Sequence, residues 1–394
     1  MELTDSPDEA RFRETARAWL AATLPTLPWP EPADLVDKVP FWKRWQRALY
    51  DGGYAGIYWP EQYGGRGVEP NLRAIFAEEL DRAGAPERLN TIGEDFAGPT
   101  IIDFGTDDQK ERYLRPILEG DEIWCQLFSE PEAGSDLASL RTKATKTDGG
   151  WIVKGQKIWT SRAHIAAFAI LLARTGTEPR HKGISYFILP MNSPGVTVRP
   201  LAHMLGEAEF NEVFLDDVFV PDANLVGAVD GGWPIAMATL GYERVAIATG
   251  RVNTQRAVRD IISDVREATD AAGRPLGADP RVRDTVADLY GRSLIHYLIG
   301  QRVVALATDG SPGAVTSIGK LYFCPLVEDL ADFRLSLAPL GGQLEADPTS
   351  NRWQRLAYQS RGTAIAGGST FIQRNIIAER MLAMPKSAAP RAAG

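Results

Sequence analysis

The change of texture between Gly120 and Val220 limits the fold of this 394-residue chain more than any other feature. Short β-branched and aromatic runs at 151–153, 157–160, 168–173, 184–189, 196–198 and 213–220 are separated by the turn signals Asp148-Gly149-Gly150, Lys182-Gly183 and Ser193-Pro194-Gly195. Spacing this short predicts an antiparallel β-barrel or sandwich. Before it, Phe12, Ala16, Trp19 and Leu20 recur at helical spacing, predicting an opening helix from Pro7 to about Leu24 with Ser6 as its cap and Pro7 in its first turn. Pro25, Pro28, Pro30, Pro32 and Pro40 make 25–40 a connector. Helical composition resumes at 71–83 and 107–118, the second capped by Thr106 or Asp107. After Trp233, Val258, Ile261, Ile262 and Val265 follow helical spacing, and 294–307 is a long apolar stretch. Gly273-Arg274-Pro275 and Ser311-Pro312-Gly313 divide this last third into long helices of an antiparallel bundle.

A chain of this length needs two or three cores. Its hydrophobic content of 44% and charged content of 24% exclude a disordered or fibrous protein. The best apolar candidate for a membrane span, 233–242, stops at Glu243 and Arg244, far short of about 18 residues. The acidic start MELTDSPDEARFRE is unlike a signal peptide, so a cytoplasmic protein is expected. Two cysteines, Cys125 and Cys324, and four histidines without metal-site spacing predict neither a disulfide framework nor a metal centre. The net charge of -8 argues against nucleic-acid binding. No GxGxxG, Walker or GxSxG pattern occurs where it would carry meaning.

Three constellations can carry chemistry. Phe128-Ser129-Glu130-Pro131-Glu132-Ala133-Gly134-Ser135-Asp136 is either a turn with Asp136 as a cap, or a tight polar loop that cradles a planar ring or a phosphate. In Lys154-Gly155-Gln156-Lys157-Ile158-Trp159-Thr160-Ser161, strand alternation places Trp159 and Ser161 on one face; the indole either stacks on a flat ring or packs in the β core. Glu243-Arg244 is an ionic dipeptide in an apolar helix, either a carboxylate with a raised pKa acting as a base or a structural, outward-facing pair.

Together with Trp59-Pro60-Glu61-Gln62-Tyr63-Gly64-Gly65, these motifs resemble the WPxxYGG, [ST]EPxAGSD and GxKxW elements of the acyl-CoA dehydrogenase family, in the family's order and over nearly the whole chain. The resemblance implies an α+β multidomain fold: an N-terminal α-helical domain (1–120), a middle antiparallel β-barrel (121–232), a C-terminal four-helix bundle (233–385) and a disordered tail (386–394). It implies FAD as cofactor and α,β-dehydrogenation of an acyl-CoA thioester as the reaction, in lipid, fatty-acid or steroid degradation. Matching positions assign Phe128, Ser129 and Gly134 to the flavin, the first two at its pyrimidine edge, and Trp159 and Ser161 near flavin N5. Ser135 and Tyr242 match substrate contacts. The family's usual C-terminal base position is occupied by Gly367 within Ala366-Gly367-Gly368-Ser369, whereas the alternative position, used by isovaleryl-CoA and long-chain enzymes, holds Glu243. Glu243 is thus the implied base and Arg244 its orienting neighbour; the thioester oxygen is implied to meet a flavin hydroxyl and the Glu243 backbone N–H.

Two departures accompany the match. The Arg-x-x-Phe-Gly element that reaches a neighbouring subunit's FAD reads Thr269-Asp270-Ala271-Ala272-Gly273, and only Pro339-Leu340-Gly341-Gly342 is similar to the later Gln-x-x-Gly-Gly element. The pattern resembles one half of the actinobacterial α2β2 enzymes acting on steroid side chains, as does 361–380, although Phe371 replaces an acidic residue there. Either a partner subunit supplies the missing arginine, or a homotetramer, a dimer of dimers, uses Arg274 or Arg281. An electron-transfer flavoprotein is the implied electron acceptor. A noncatalytic subunit and a same-fold flavin oxidase or monooxygenase are the alternatives.

Overall fold

The computed structural model describes residues 4–32, 35–178, 180–205, 209–248, 254–270, 272–308, 313–337 and 348–385. The expected tail at 386–394 and the Pro339–Gly342 element lie outside these residues. By contacts the chain forms two compact units, residues 2–246 and residues 247–394.

The first unit opens with five helices, α1 (Pro7–Thr23), α2 (Leu35–Asp51), α3 (Pro70–Arg82), α4 (Gly98–Phe104) and α5 (Asp107–Glu119). Ser6 and Glu9 form a capping box at α1, and Thr106 and Gln109 another at α5, so both expected starts hold. The proline connector is shorter than expected: Pro40 lies inside α2. It removes one hydrogen bond in the second turn, which the burial of Phe41, Trp42, Trp45 and Leu49 offsets. The Trp59 motif belongs to this core. Trp59 is buried and its indole donates to the Glu94 carbonyl (3.0 Å), while a Cβ at Gly65 would lie 2.0 Å from the Trp59 carbonyl oxygen. Its role is packing.

The sheet follows: β1 (Trp124–Leu127), β2 (Lys143–Thr147), β3 (Gly150–Ser161), β4 (Phe168–Arg174), β5 (Ile184–Pro190), β6 (Val196–Leu201), β7 (Phe210–Pro221) and β8 (Leu225–Val226). The runs at 151–153 and 157–160 are one strand, because residues 154–156 continue the ladder to β7 through a bulge. Pairing follows the path β6-β7-β3-β2-β4-β5-β8, with β1 added on β4. Both β1 and β2 pair with β4 in parallel, so the wholly antiparallel pairing expected from the turn spacing is corrected to a mixed eight-stranded sheet. Short hairpin turns predict only antiparallel neighbours; these parallel pairs join strands distant in sequence. α6 (Gly232–Ala248) then packs Ile235 and Ala236 into the core shared by the helices and the inner sheet face.

In the second unit α7 (Thr254–Glu267), α8 (Pro280–Thr308), α9 (Val315–Ser336) and α10 (Pro348–Thr363) pack on one another, with the short α11 (Thr370–Ile376) on α9. Val258, Ile261 and Val265 of α7 face the core with Leu289, Leu326, Leu330 and Trp353, as their spacing predicts.

Candidate active site

The site is built where β1 ends and β3 leaves its ladder. Between Lys157 and Thr160 three steps along β3 face two along β7, from Val213 to Asn211, which is one extra residue in β3. Trp159 sits in that bulge at φ 59°. Plain alternation would put Lys157 and Trp159 on one face. The bulge separates them: Lys157 is fully buried, whereas Trp159 is 61% exposed, its ring edge-on to Phe210 at 6.0 Å. Past the bulge alternation resumes, with Trp159 exposed, Thr160 buried and Ser161 half-buried, so Trp159 and Ser161 share one face as expected, and the indole does not pack in the β core.

Opposite the bulge, Phe128 is buried and Ser129 half-buried. The Ile158 N–H donates to the Ser129 carbonyl (3.0 Å), and Lys157 Nζ donates to the Phe128 carbonyl (3.1 Å) and to Glu130 Oε1 (2.9 Å). Glu130 also accepts from the backbone N–H of Arg141 (2.7 Å) and Thr142 (2.9 Å). Burial pushes the Lys157 ammonium down to about 8 despite its carboxylate partner. Burial alone would raise Glu130, but the Lys157 charge and the donated hydrogen bonds hold it below the usual carboxylate value.

Gly134, Ser135 and Asp136 are exposed. Asp136 makes no side-chain cap; its carboxylate lies 3.4 Å from Arg180, which removes the capping reading of this loop. Arg174, unremarked in the sequence, staples the loop: it donates to the carbonyls of Ala138 and Leu140 on one side and of Glu178, Arg180 and Lys182 on the other.

Helix α6 is seated beside these strands by hydroxyls. The Thr100 and Thr239 hydroxyls share a hydrogen bond (2.8 Å), and Tyr186 Oη lies 3.3 Å from Thr239 Oγ1. The Tyr186 ring is edge-on to Phe128 at 5.9 Å. Glu243 stands four residues after Thr239 and so one turn along the same face, half-buried. It is the single carboxylate of α6. Tyr242 donates its hydroxyl to Asp103 of α4; burial and that carboxylate raise the phenol above its usual value. The Arg244 side chain lies outside the described residues. Glu243 lies inside the helix, where backbone N–H groups serve the i−4 carbonyls, so its N–H is not a spare donor for a thioester oxygen.

In the second unit Gly367 and Gly368 adopt φ 62° and 84°, and Gln373 Nε2 donates to both of their carbonyls (3.0 and 3.2 Å). Arg274 and Arg281 are exposed and ion-paired locally with Asp270 (2.7 Å) and Asp279 (3.1 Å). No cluster of metal-ligating side chains occurs among the described residues, and no helix among them is long and apolar enough to cross a membrane.

The residues present fit a flavin. A large exposed indole stands in a strand bulge, the neighbouring Ser129 and Ser161 hydroxyls take no protein partner among the described residues, and Thr160 Oγ1 is buried without one. A Cβ at Gly134 would meet nothing within 4 Å, so protein packing does not explain that glycine, whereas close approach of a ligand would.

A helical region, a mixed sheet with an exposed aromatic bulge and a helical region after it in sequence agree with the acyl-CoA dehydrogenase type of flavoprotein that the motifs resemble. The comparisons agree along the chain: residues 6–121 match "Acyl-CoA dehydrogenase, N-terminal domain", 125–218 the middle domain and 230–382 the C-terminal domain. The chain belongs to the acyl-CoA dehydrogenase family, whose members are FAD-dependent flavoproteins. It is 41% identical to acyl-CoA dehydrogenase FadE34 of Mycobacterium tuberculosis over 91% of its own length; it spans about half of that relative, 48%. Among solved structures it is similar to the ChsE4-ChsE5 complex from Mycobacterium tuberculosis, with a TM-score of 0.88 and 28% identity, covering 98% of this chain and 100% of that one. The Tcur3481-Tcur3483 steroid acyl-CoA dehydrogenase is similar with a TM-score of 0.86 and 28% identity, again covering 98% and 100%.

Proposed function

We propose that this chain catalyses the α,β-dehydrogenation of an acyl-CoA thioester of the lipid or steroid side-chain class, in the cytoplasm, with Glu243 as base. The observation that carries the reading is the seating of α6: Thr239 bonds to Thr100 and lies beside Tyr186, Tyr186 packs on Phe128, and Glu243 follows one turn later. A single carboxylate is thereby directed along the face that meets the flavin motif. Glu243, half-buried on that face, takes the α proton of the substrate. A two-electron acceptor for the β hydrogen is the chemistry that bound FAD supplies. Phe128 and Ser129 would hold its pyrimidine edge, Gly134 would allow its close approach, and Trp159 and Ser161 would flank its reacting end. Ser135 contacts the thioester arm, Tyr242 lines the substrate side while its hydroxyl fixes α6 to α4, and Arg244 orients the base.

In Glu243→Gln the protein keeps its flavin, but anaerobic acyl-CoA no longer bleaches it, and turnover falls about 10²- to 10⁴-fold. Stopped-flow absorbance checks this; unchanged turnover removes Glu243 from the mechanism.

A specific observation favours a partnered assembly. The 269–273 segment lacks the arginine and phenylalanine of the cross-subunit clamp, and Arg274 and Arg281 are engaged by their own neighbours. The ChsE4-ChsE5 structure is a complex of two chains. We infer an α2β2 enzyme in which a homologous chain supplies that arginine, with an electron-transfer flavoprotein as acceptor. Mass measurement of the chain alone and with a homologous subunit tests it: a self-sufficient, FAD-loaded homotetramer removes the need for a partner.

A further inference from the structure

Lys157 is a fully buried cation that the reaction does not use. Buried ion pairs add little stability compared with apolar residues of the same volume, so a stability argument does not account for it. Its position does account for it. Lys157 is the last β3 residue in register with β7 before the bulge that turns Trp159 outward. Its ammonium reaches across to the Phe128 carbonyl (3.1 Å) and Glu130 Oε1 (2.9 Å), and the adjacent Ile158 N–H holds the Ser129 carbonyl (3.0 Å). Three consecutive residues at the end of β1 are thus fastened to two at the start of the bulge. Glu130 is itself fixed by the N–H groups of Arg141 and Thr142, at 2.7 and 2.9 Å, so the fastening runs on to the start of β2.

We propose that Lys157 is a positioning residue for the flavin: through the Phe128 carbonyl and the Glu130 carboxylate it fixes the 128–130 peptides relative to the Trp159 bulge. The proposal rests on the reading of Phe128, Ser129 and Trp159 as flavin contacts. Two segments that meet one rigid ring must keep one spacing. Lys157 sets it from behind, in a place where neither water nor substrate competes for its protons. Glu130 neutralises the charge and aims the ammonium, a pairing that a merely space-filling residue would not need.

The test is FAD rebinding to apoprotein, followed by quenching of flavin fluorescence, with the visible circular dichroism of the bound flavin as a second readout. Removing Lys157 alone strands the buried Glu130 charge and destabilises the fold. The Lys157→Met/Glu130→Gln double variant removes both charges and carries the test. We expect wild-type thermal stability within a few degrees, an FAD Kd raised about tenfold, and an altered flavin dichroism. Lys157→Arg, which keeps a cationic donor, restores affinity to within about threefold of wild type. A double variant that binds FAD with wild-type Kd and dichroism overturns the proposal and leaves the pair a packing feature. Wild-type protein that binds no FAD overturns instead the flavin reading on which it rests.

Discussion

Glu243, the proposed base, and Gly367, the position weighed against it, lie in different units and differ in backbone as much as in side chain. Glu243 occupies regular helix, on a face tied to Thr100 and Tyr186 by buried hydroxyls. Gly367 occupies a turn in which it and Gly368 take left-handed φ values of 62° and 84°, with their carbonyls held by Gln373. An L-residue at that turn is strained by about 1–3 kcal/mol, so the absence of a glutamate there is written into the backbone. The contrast extends to the segments around them, though not to the units as wholes, since Arg334–Asp264 and Arg352–Asp260 join distant residues in the second unit too. The first holds its chemistry with bonds between residues distant in sequence, such as Lys157–Glu130 and Arg174 to the 138–140 turn; the arginines nearest the altered clamp in the second pair only with neighbours a few residues away.

The most demanding way to break this comparison is to move the base. Glu243→Gln combined with Gly367→Glu stays at least about a hundredfold below wild type in turnover, because a turn built for glycine does not present a side chain as the helix does. Recovery to within tenfold, measured with the same acyl-CoA, would mean the two positions are interchangeable. Gly367→Ala alone lowers unfolding free energy by about 1–2 kcal/mol in urea titration. An unchanged midpoint would show that the turn relaxes without glycine. Thr239→Val strips the hydroxyl that Thr100 and Tyr186 share, costing about 1–2 kcal/mol and lowering kcat several-fold with little change in KM. Equal kcat would detach the seating of α6 from the action of Glu243.

Much of this arrangement was legible in the sequence where the signal was local. The Ser6 and Thr106 caps, the periodicity of Val258, Ile261 and Val265, and the turn at Gly149 each depend on residues within a few positions of one another. The motif segments at 128–136 and 155–161 could be found by resemblance, and the base weighed against Gly367. What the sequence hid was long-range. β1 and β2 are short strands whose partner β4 lies more than twenty residues on in parallel register, a pairing with no hairpin signature. The bulge at Trp159 turns the indole off the face that Lys157 occupies, and only the ladder to β7 reveals it. Lys157 and Glu130 read as motif letters because the 2.9 Å contact joining them spans 27 positions. Thr239 reads as an ordinary helix residue for the same reason: its partner Thr100 is 139 positions away.

The buried lysine also gives the finest way to sharpen the contrast, through pH. Lys157 has a native pKa of about 8 against 10.5 when exposed. Below pH 8 both states carry the proton and the group contributes no pH dependence. Between 8 and 10.5 the unfolded chain binds more protons than the native one, so this group makes stability rise with pH, by at most about 1.4 kcal/mol per unit. The Lys157→Met/Glu130→Gln variant lacks that increment. Urea midpoints of both proteins at pH 7, 8, 9 and 10 therefore coincide in trend up to pH 8 and then diverge, wild type gaining relative to the variant. A divergence of opposite sign would mean that Glu130 holds the native lysine charged more firmly than burial discharges it, and the long-range bond in the first unit would then be a net electrostatic clamp rather than a positional one.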